Sequence, residues 1–406
     1  MKVLFVVGYC LKVNSSANLC HLAYINGFVE MEHDVDLIMA SSKGQNIDKS
    51  IVLPKVNSIY EYDVALYEQY GGKKSSNAEN SISKKNSANS HKKNFSIKSL
   101  IIGKIKRMIR KSYGVYSTTI VWKRNAMKFK NDKQYDLVIS LAYPPVSHKL
   151  ASDLIKNRHI KTNKWIQIWE DPWYCDLVSN DSNIKIKKEE EKLVGLSDRI
   201  VYVSPLTLRY QQSMFDNSSD RMCWHPLPSY YTVENKKIDF NHLIFGYFGD
   251  YVSSVRNLSP FINTVIHNDI ETNICGTTDL NVYSAGKVSI YPRLPLNELK
   301  EYEDKTNVIV FLCNLKGGQI PGKIYQYSAT NKIILFILDG TEEEKNIIKE
   351  YFSQFNRYIF CENNEVSIKS AINSIQEYIK KPNYTMPLDV FNSKNIVKDL
   401  LREVDM

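Results

Sequence analysis

Polar side chains able to transfer protons follow two apolar segments in the N-terminal half of the chain. Ser147 and His148 come after the apolar run 135–141, and Glu170 and Asp171 come after the run 164–169. Each run has the length and composition of a buried strand, and open α/β sheets bind ligands at the carboxyl ends of their strands. Any one of these side chains alone is more often structural. Together they predict a site at one edge of a sheet.

A second informative segment, residues 319–338, has the sequence QIPGKIYQYSATNKIILFIL. Pro321 suits the first turn of a helix, and Asn331 suits its C-terminus. The run IILFIL predicts a parallel strand that is covered on both faces. Gly322 and Lys323 then lie near the start of the helix, where free N–H groups and a positive charge can bind an anion. An ordinary helix–strand unit with a solvated lysine is the alternative.

The N-terminus predicts a strand (2–7), a helix capped by Ser15 or Ser16, and a second strand (34–40). A strand, helix and strand with short connections are typical of a parallel doubly wound sheet. The second strand begins Asp34-Val-Asp36, a DxD pattern that binds metal in many sugar transferases. Because it lies directly after a helix, we interpret Asp36 as the solvent-facing start of the strand and expect no metal site.

A second sheet is predicted after residues 223–237, whose prolines and polar residues are typical of a connection between domains. Its six predicted strands are 243–250, 271–276, 287–291, 307–313, 332–338 and 357–361. The sequence therefore predicts an α/β fold with two Rossmann-like doubly wound domains facing a cleft. We predict domain limits of 1–232 and 233–381, followed by a C-terminal helix within 382–406.

The positive charge of the chain is concentrated in one segment. The net charge is +9, but residues 71–111 contain twelve Lys and Arg and one acid, so this segment carries +11 and the remainder −2. Residues 71–96 are rich in Ser, Asn and Lys and predict a disordered insertion. Residues 97–112 predict a basic amphipathic helix, a candidate for binding an anionic membrane surface through 97–111. A helix packed on its domain is the alternative. Aromatic residues are not interleaved with the basic ones, so we do not expect nucleic-acid binding.

Cysteine usage and hydropathy limit the class of protein. The seven cysteines are scattered, odd in number and without a CxxC pair, which argues against a disulfide framework or a zinc site. The apolar run after Lys2 is too short for a signal peptide, and no run approaches the ~18 residues of a membrane-spanning helix. We therefore expect a soluble cytoplasmic protein, with the basic helix as a candidate contact to the inner face of the plasma membrane.

Five segments together resemble the GT-B glycosyltransferases related to family 4, of the kind that bacteria use in surface polysaccharide assembly. They are SLAYPPVSHKLA (140–151), WEDPWY (169–174), EEEKLVGLSDRIVYVSP (189–205), FGYFGDYVSSVRN (245–257) and IPGKIYQYSATNKIILFI (320–337). The resemblance covers nearly the whole chain except 71–112. It implies that the C-terminal half binds a nucleotide-diphosphate sugar and the N-terminal half a lipid-linked or polysaccharide acceptor. It also implies that the final helix returns to the first domain.

The resemblance implies a donor site without a metal or another cofactor. Arg256 and Lys323, on two different loops, would clamp the diphosphate and stabilise it as the leaving group. Gln326 stands where the family often has a glutamate that binds ribose, and its amide oxygen can still accept a hydrogen bond. Gly318 stands at the other glutamate position and supplies no carboxylate, which leaves a retaining or an inverting outcome open. The implied site comprises Gly249, Arg256, Gly318, Pro321, Lys323 and Gln326.

The first loop also departs from the family. Gly8, Ser15, Ser16 and Asn18 stand where the family usually has a glycine-rich loop.

Sugar transfer also requires a group that accepts the proton of the acceptor hydroxyl. We predict Asp171 first, His148 second and Glu170 third. In the alternative interpretation, the Asp-Pro-Trp turn only anchors the strand end by packing Trp173.

The sequence therefore predicts a metal-independent hexosyltransferase. Two other functions remain open: a catalytically degenerate scaffold or binding subunit, for which Gly318 and Gln326 are the best evidence, and a nucleotide-sugar 2-epimerase. An epimerase would require several carboxylates and histidines in the cleft, and these are not assembled in the sequence.

Overall fold

A computed structural model of the protein describes residues 1–66, 113–175, 183–233, 236–316 and 318–406. The predicted insertion, 71–96, and the predicted basic helix, 97–112, lie outside the described residues. No helix within the described ranges combines the length and the apolar character that a bilayer crossing requires.

The first sheet has the strand order β3-β2-β1-β4-β5-β6-β7. Its strands are β1 Lys2–Val7, β2 Asp34–Ala40, β3 Ser58–Tyr62, β4 Gln134–Ala142, β5 Lys161–Trp169, β6 Arg199–Tyr202 and β7 Met222–Trp224. The central strands β1 and β4 pair in parallel, with Val3 opposite Leu137 and Val7 opposite Leu141. They are apolar along most of their length because elements pack against both faces.

The second sheet has the order β10-β9-β8-β11-β12-β13. Its strands are β8 Phe245–Phe248, β9 Thr272–Cys275, β10 Val288–Tyr291, β11 Val308–Leu312, β12 Ile333–Leu338 and β13 Tyr358–Glu362. All six were predicted. Every pair in this sheet is parallel, and the order is typical of a Rossmann domain. The predicted α/β fold with two parallel, Rossmann-like sheets is therefore confirmed.

Helices connect the strands of both sheets. They are α1 Ser16–Glu30, α2 Thr119–Ala126, α3 Val146–Lys156, α4 Ile184–Val194, α5 Pro205–Met214, α6 Ser259–His267, α7 Leu296–Lys305, α8 Lys323–Ser328, α9 Glu342–Ser353, α10 Glu365–Ile379 and α11 Ser393–Arg402. Ser15 caps α1 as predicted, since its hydroxyl accepts a hydrogen bond from the Asn18 N–H at 3.2 Å. This cap fixes the start of α1 directly after the first loop.

The described residues form two compact units. The first contains residues 1–13, 33–66, 113–174 and 183–198, and the second contains 14–32, 175, 199–233, 236–316 and 318–406. Within the second unit, α11 packs on α1, where Gly27 permits the approach. A Cβ at Gly27 would lie 2.5 Å from the carbonyl oxygen of Ser393. The domain limits at 232 and 381 stay a sequence-based prediction.

Two strands and one buried carboxylate differ from the expectations. Strand β3 was not predicted, and β7 occupies the start of the expected connection 223–237. Asp36 does not face solvent, because the residue is only 2% exposed. Its carboxylate accepts hydrogen bonds from Tyr135 at 2.7 Å and Asn57 at 2.8 Å. Burial opposes its ionisation, but these bonds and a third from Lys133 hold the pKa of Asp36 below its ordinary value.

Candidate functional site

A cavity of about 250 Å³ lies within the second unit. Its wall is built by the carboxyl ends of β8, β9 and β11, by the segment after β10, and by the loop that leads into α8. Residues at the N-terminus of α1, namely Asn14, Ser15 and Ser16, also line it. The carboxyl edge of a parallel sheet is where such folds bind ligands. The cavity is therefore the best candidate for a ligand site in the described part of the second unit.

Two glycines shape the cavity wall. The Gly249 N–H donates to the carbonyl of Cys275 at 2.9 Å, which joins the loops after β8 and β9. A Cβ at Gly276 would lie only 1.9 Å from the Gly249 carbonyl oxygen, so Gly276 is required for this approach. A Cβ at Gly249 would meet only the Tyr247 side chain, at 3.7 Å or more. The fold thus tolerates a side chain at Gly249, and its absence leaves room in the cavity.

Arg256 is fixed at the cavity wall by its own hydrogen bonds. Its Nε donates to Asn314 Oδ1 at 2.8 Å, and its Nη1 donates to the carbonyl of Asp250 at 3.1 Å. Neither acceptor is a carboxylate, so these bonds orient the guanidinium without neutralising it. A fixed guanidinium loses little conformational entropy when it binds a phosphate or a carboxylate.

Lys323 lines the same cavity as the first residue of α8. Within the described ranges, no residue forms a hydrogen bond or an ion pair with its ammonium. Burial lowers the pKa of Lys323, and the nearby charge of Arg293 lowers it further, whereas Glu303 and Asp250 raise it. The helix α8 spans six residues, so the ammonium rather than a helix dipole supplies the positive charge. Such a cation favours an anionic ligand.

Gln326 contributes a polar group at the cavity wall. The residue is 2% exposed, and its side-chain amide has no hydrogen-bond partner among the described residues. Buried polar groups are nearly always hydrogen-bonded. The amide of Gln326 is therefore available to a ligand in the cavity. Its neighbour Tyr327 stabilises the short helix by donating to the carbonyl of Phe248 at 3.1 Å.

The structure brings together five of the six predicted donor-site residues: Gly249, Arg256, Pro321, Lys323 and Gln326. Gly318 does not line the cavity. It has a φ of +66°, and a Cβ there would lie 2.4 Å from the Cβ of Leu206. Its carbonyl accepts a hydrogen bond from the Ser204 hydroxyl at 2.5 Å. These contacts explain the glycine by backbone geometry.

The predicted catalytic carboxylates lie in the first unit, in the turn after β5. Glu170 is 8% exposed, and Asp171 is half-buried. The turn is held by Glu190 of α4, a residue to which the sequence alone assigned no role. Its carboxylate accepts from the backbone N–H groups of Trp173 at 3.1 Å and Tyr174 at 2.6 Å. Charge-assisted bonds to two successive N–H groups fix the backbone next to Asp171.

His148 lies in the first turn of α3 and is fully buried. Its Nδ1 is 2.7 Å from the Ser140 hydroxyl, which also accepts from Trp165 Nε1 at 2.8 Å. The imidazole packs on Trp169 with ring centroids 4.3 Å apart. An acceptor hydroxyl cannot reach a ring without exposed surface. The contacts of His148 therefore favour Asp171 over His148 as the base.

Sequence reasoning also missed two charged residues of the cavity, Asp250 and Arg293. Their side chains form an ion pair with an Nη1–Oδ2 distance of 3.1 Å. Asp250 directly follows Gly249, and Arg293 follows β10 by two residues. Ser147, His148, Glu170 and Asp171 were indicated because they are polar residues that follow strands. The same rule could have found Asp250 and Arg293.

One group of side chains in the described residues has the composition of a metal site: Cys223, His225 and Glu403. Glu403 already interacts through both oxygens, with His225 Nε2 at 3.0 Å and with Arg199 Nη2 at 2.9 Å. Burial raises the pKa of Cys223 to about 12, and the charge of Glu403 contributes to this increase. Both carboxylate oxygens of Glu403 are occupied by these partners, and the three residues lie outside the cavity wall.

No protein-family model matches the chain, and no curated protein matches it. Solved structures do resemble it. Sucrose-phosphate synthase from Thermosynechococcus elongatus has a TM-score of 0.55 and 11% identity over 100% of this chain and 98% of that chain. The lipopolysaccharide outer core galactosyltransferase WaaB, in its apo form, has a TM-score of 0.53 and 8% sequence identity over 100% of this chain and 99% of that chain. Anabaena HepE in complex with UDP and glucose has a TM-score of 0.52 and 9% sequence identity over 100% of this chain and 99% of that chain. At these identities the likeness establishes the fold, which is GT-B.

Proposed function

We propose that the protein is a glycosyltransferase that moves a sugar from a nucleotide-diphosphate donor to a hydroxyl of a lipid-linked oligosaccharide or polysaccharide. The observation that carries the proposal is the cavity of the second unit. It combines the fixed guanidinium of Arg256, the amide of Gln326, and the ammonium of Lys323, to which the described residues offer no ion-pair partner. A donor offers a matching set of groups, because its diphosphate is anionic and its ribose hydroxyls can bond to an amide.

In the proposed reaction, the bond between the anomeric carbon and the diphosphate oxygen breaks, and a bond to the acceptor oxygen forms. The diphosphate gains negative charge as it leaves. Arg256 and Lys323 stabilise that charge more strongly in the transition state than in the bound donor. Gly249 leaves space beside the diphosphate, and Gln326 holds the ribose.

We propose Asp171 as the group that takes the proton of the acceptor hydroxyl, with Glu170 and His148 as the other candidates. Glu190 fixes the turn that carries Asp171, because it binds the backbone N–H groups of Trp173 and Tyr174. Positioned bases of this kind contribute about 10²–10⁴-fold to a rate. Asp171→Asn should therefore lower the rate of transfer by that factor and leave donor binding intact.

The acceptor class rests on the resemblance described above and on two of the similar structures. WaaB is a lipopolysaccharide galactosyltransferase, and HepE was solved with UDP and glucose. We propose a hexose donor and an acceptor of bacterial surface polysaccharide assembly. Membrane attachment through residues 97–111 is part of this proposal, and it is testable by sedimentation with anionic vesicles, where binding must weaken as salt rises.

The experiment that tests the function is donor turnover. UDP-, GDP- and dTDP-hexoses are incubated with the purified protein, and the released nucleoside diphosphate is quantified by chromatography. Slow hydrolysis of one donor is expected, with loss of release in Lys323→Gln.

Two results would contradict the proposal in different ways. Tight binding of a donor without any release of the diphosphate would support the scaffold alternative. Conversion of the sugar to its 2-epimer would support an epimerase.

A further inference from the structure

We propose that Arg293 is a third cationic group of the donor cavity and that it binds the diphosphate. The inference rests on the proposed function and deepens it, because neither the sequence motifs nor the resemblance assigned a role to this residue. In the structure, Arg293 lines the cavity and pairs with Asp250.

The position of Arg293 supports a ligand contact. The residue lies between β10, which ends at Tyr291, and α7, which begins at Leu296, so it projects from the carboxyl edge of the sheet. Its side chain is 51% exposed, and one nitrogen, Nη1, donates to Asp250 Oδ2 at 3.1 Å. An ion pair this exposed contributes little free energy. The guanidinium can therefore exchange Asp250 for a ligand at small cost.

Asp250 connects the two arginines of the cavity. Its backbone carbonyl accepts from Arg256 Nη1 at 3.1 Å, and its Oδ1 accepts from the Thr277 N–H at 2.8 Å. The carboxylate that pairs with Arg293 is thus itself fixed on both sides. The pair places Arg293 Nη1 beside a fixed group of the cavity wall.

The charges of the cavity wall are not balanced. Its lining contains three cations, Arg256, Arg293 and Lys323, and one anion, Asp250, which gives a net charge of +2. Arg293 and Lys323 repel each other, and the charge of Arg293 contributes to the lowered pKa of Lys323. A diphosphate bound between them would relieve this repulsion, since each of its phosphates carries a negative charge. A guanidinium also matches a phosphate group with two parallel hydrogen bonds.

The choice of ligands distinguishes a contact of Arg293 with the diphosphate from a contact with another part of the donor. UDP, GDP and dTDP are titrated by calorimetry into wild-type protein, and the base of the diphosphate that binds is used for all further ligands. The matching monophosphate and nucleoside are then compared in wild type, Arg293→Gln and Arg293→Lys. Arg209→Gln is the matched control, because Arg209 is a 60% exposed arginine of the second unit, paired with Glu343 and absent from the cavity wall.

The expected result for Arg293→Gln is a loss of about tenfold to a hundredfold in diphosphate affinity, with unchanged affinity for the nucleoside. Arg293→Lys should recover part of the loss, and Arg209→Gln should have no effect. Equal losses for the nucleoside and the diphosphate would assign Arg293 to the base or the ribose and overturn the inference. Unchanged diphosphate affinity would overturn it as well. Absence of nucleotide binding in the wild type would instead contradict the proposed function itself.

Discussion

Gly249 and Gly276 approach each other so closely that a Cβ on Gly276 would lie 1.9 Å from the Gly249 carbonyl oxygen. The two glycines nevertheless have different roles. Gly276 is needed for the packing of two backbone segments, whereas Gly249 has space around its Cα and leaves room in the cavity.

Gly276→Ala should therefore lower the free energy of unfolding, by about 1–3 kcal/mol, because neither backbone segment can move without cost. Gly249→Ala should change it by no more than about 0.5 kcal/mol, yet weaken nucleotide binding. Urea denaturation and calorimetry measure the two effects. The opposite pattern, a destabilised Gly249→Ala with normal affinity, would show that Gly249 serves the fold alone.

The lowered pKa of Lys323 predicts opposite effects on binding and on stability. Donor affinity requires the charged ammonium, so it should fall as pH rises through this lowered pKa, at a lower pH than for an ordinary lysine. Lys323→Arg, which stays charged, should not show this decline. Calorimetric titrations of UDP between about pH 7 and pH 10 would test it, and parallel pH profiles for the two proteins would contradict it.

For stability, the unfolded chain binds more protons than the folded chain between the lowered pKa of Lys323 and its ordinary value. The contribution of Lys323 to the free energy of unfolding therefore increases as pH rises through that window. At neutral pH the burial of the charged ammonium is unfavourable for folding. Lys323→Gln removes this cost, so the variant should be more stable than wild type at neutral pH, and the difference should shrink at alkaline pH. A variant less stable at neutral pH would mean that the ammonium has a stabilising partner.

Glu190 predicts an effect on transfer without an effect on donor binding. Glu190→Ala leaves two backbone N–H groups without their acceptor and should lower the free energy of unfolding by about 1–3 kcal/mol. The turn carrying Asp171 should lose its fixed geometry, and the rate of transfer should fall. Nucleotide affinity should stay unchanged, because these contacts lie within the first unit. The control is Glu191→Ala, an exposed neighbour on the same helix; an equal loss of rate in that variant would refute a specific role of Glu190.

Activity should persist in EDTA. The only Asp-x-Asp pattern of the chain is Asp34-Val-Asp36, and both oxygens of Asp36 are occupied, Oδ1 by Asn57 and Oδ2 by Tyr135 and Lys133. In the proposed mechanism Arg256 and Lys323 balance the charge of the leaving group instead of a metal. Diphosphate release in the presence of EDTA and after addition of Mn²⁺ tests this directly. An absolute requirement for the metal would contradict the charge assignment.

The sequence predicted those parts of the fold that local patterns determine. Strand β12 is a continuous apolar run with all six residues buried, and Arg256 and Lys323 were indicated by their positions at loop and helix ends. Strand β3, SIYEY, alternates between half-buried and exposed residues, and β7 has three residues, so neither gave a signal. The burial of Asp36 depends on Tyr135, which is 99 residues away. Glu190 likewise acts through tertiary contacts that no local pattern encodes.

The proposed function depends most directly on the binding of the donor's diphosphate by Arg256 and Lys323 in the cavity of the second unit. It is tested by titrating UDP, GDP and dTDP into wild type, Arg256→Gln and Lys323→Gln by calorimetry. Arg209→Gln and Lys349→Gln, which alter exposed cations outside the cavity wall, serve as controls. Wild type and controls should bind one diphosphate equally, and each cavity variant should lose roughly 1.5–3 kcal/mol of binding free energy while remaining folded. Unchanged affinity in both folded cavity variants would contradict the account.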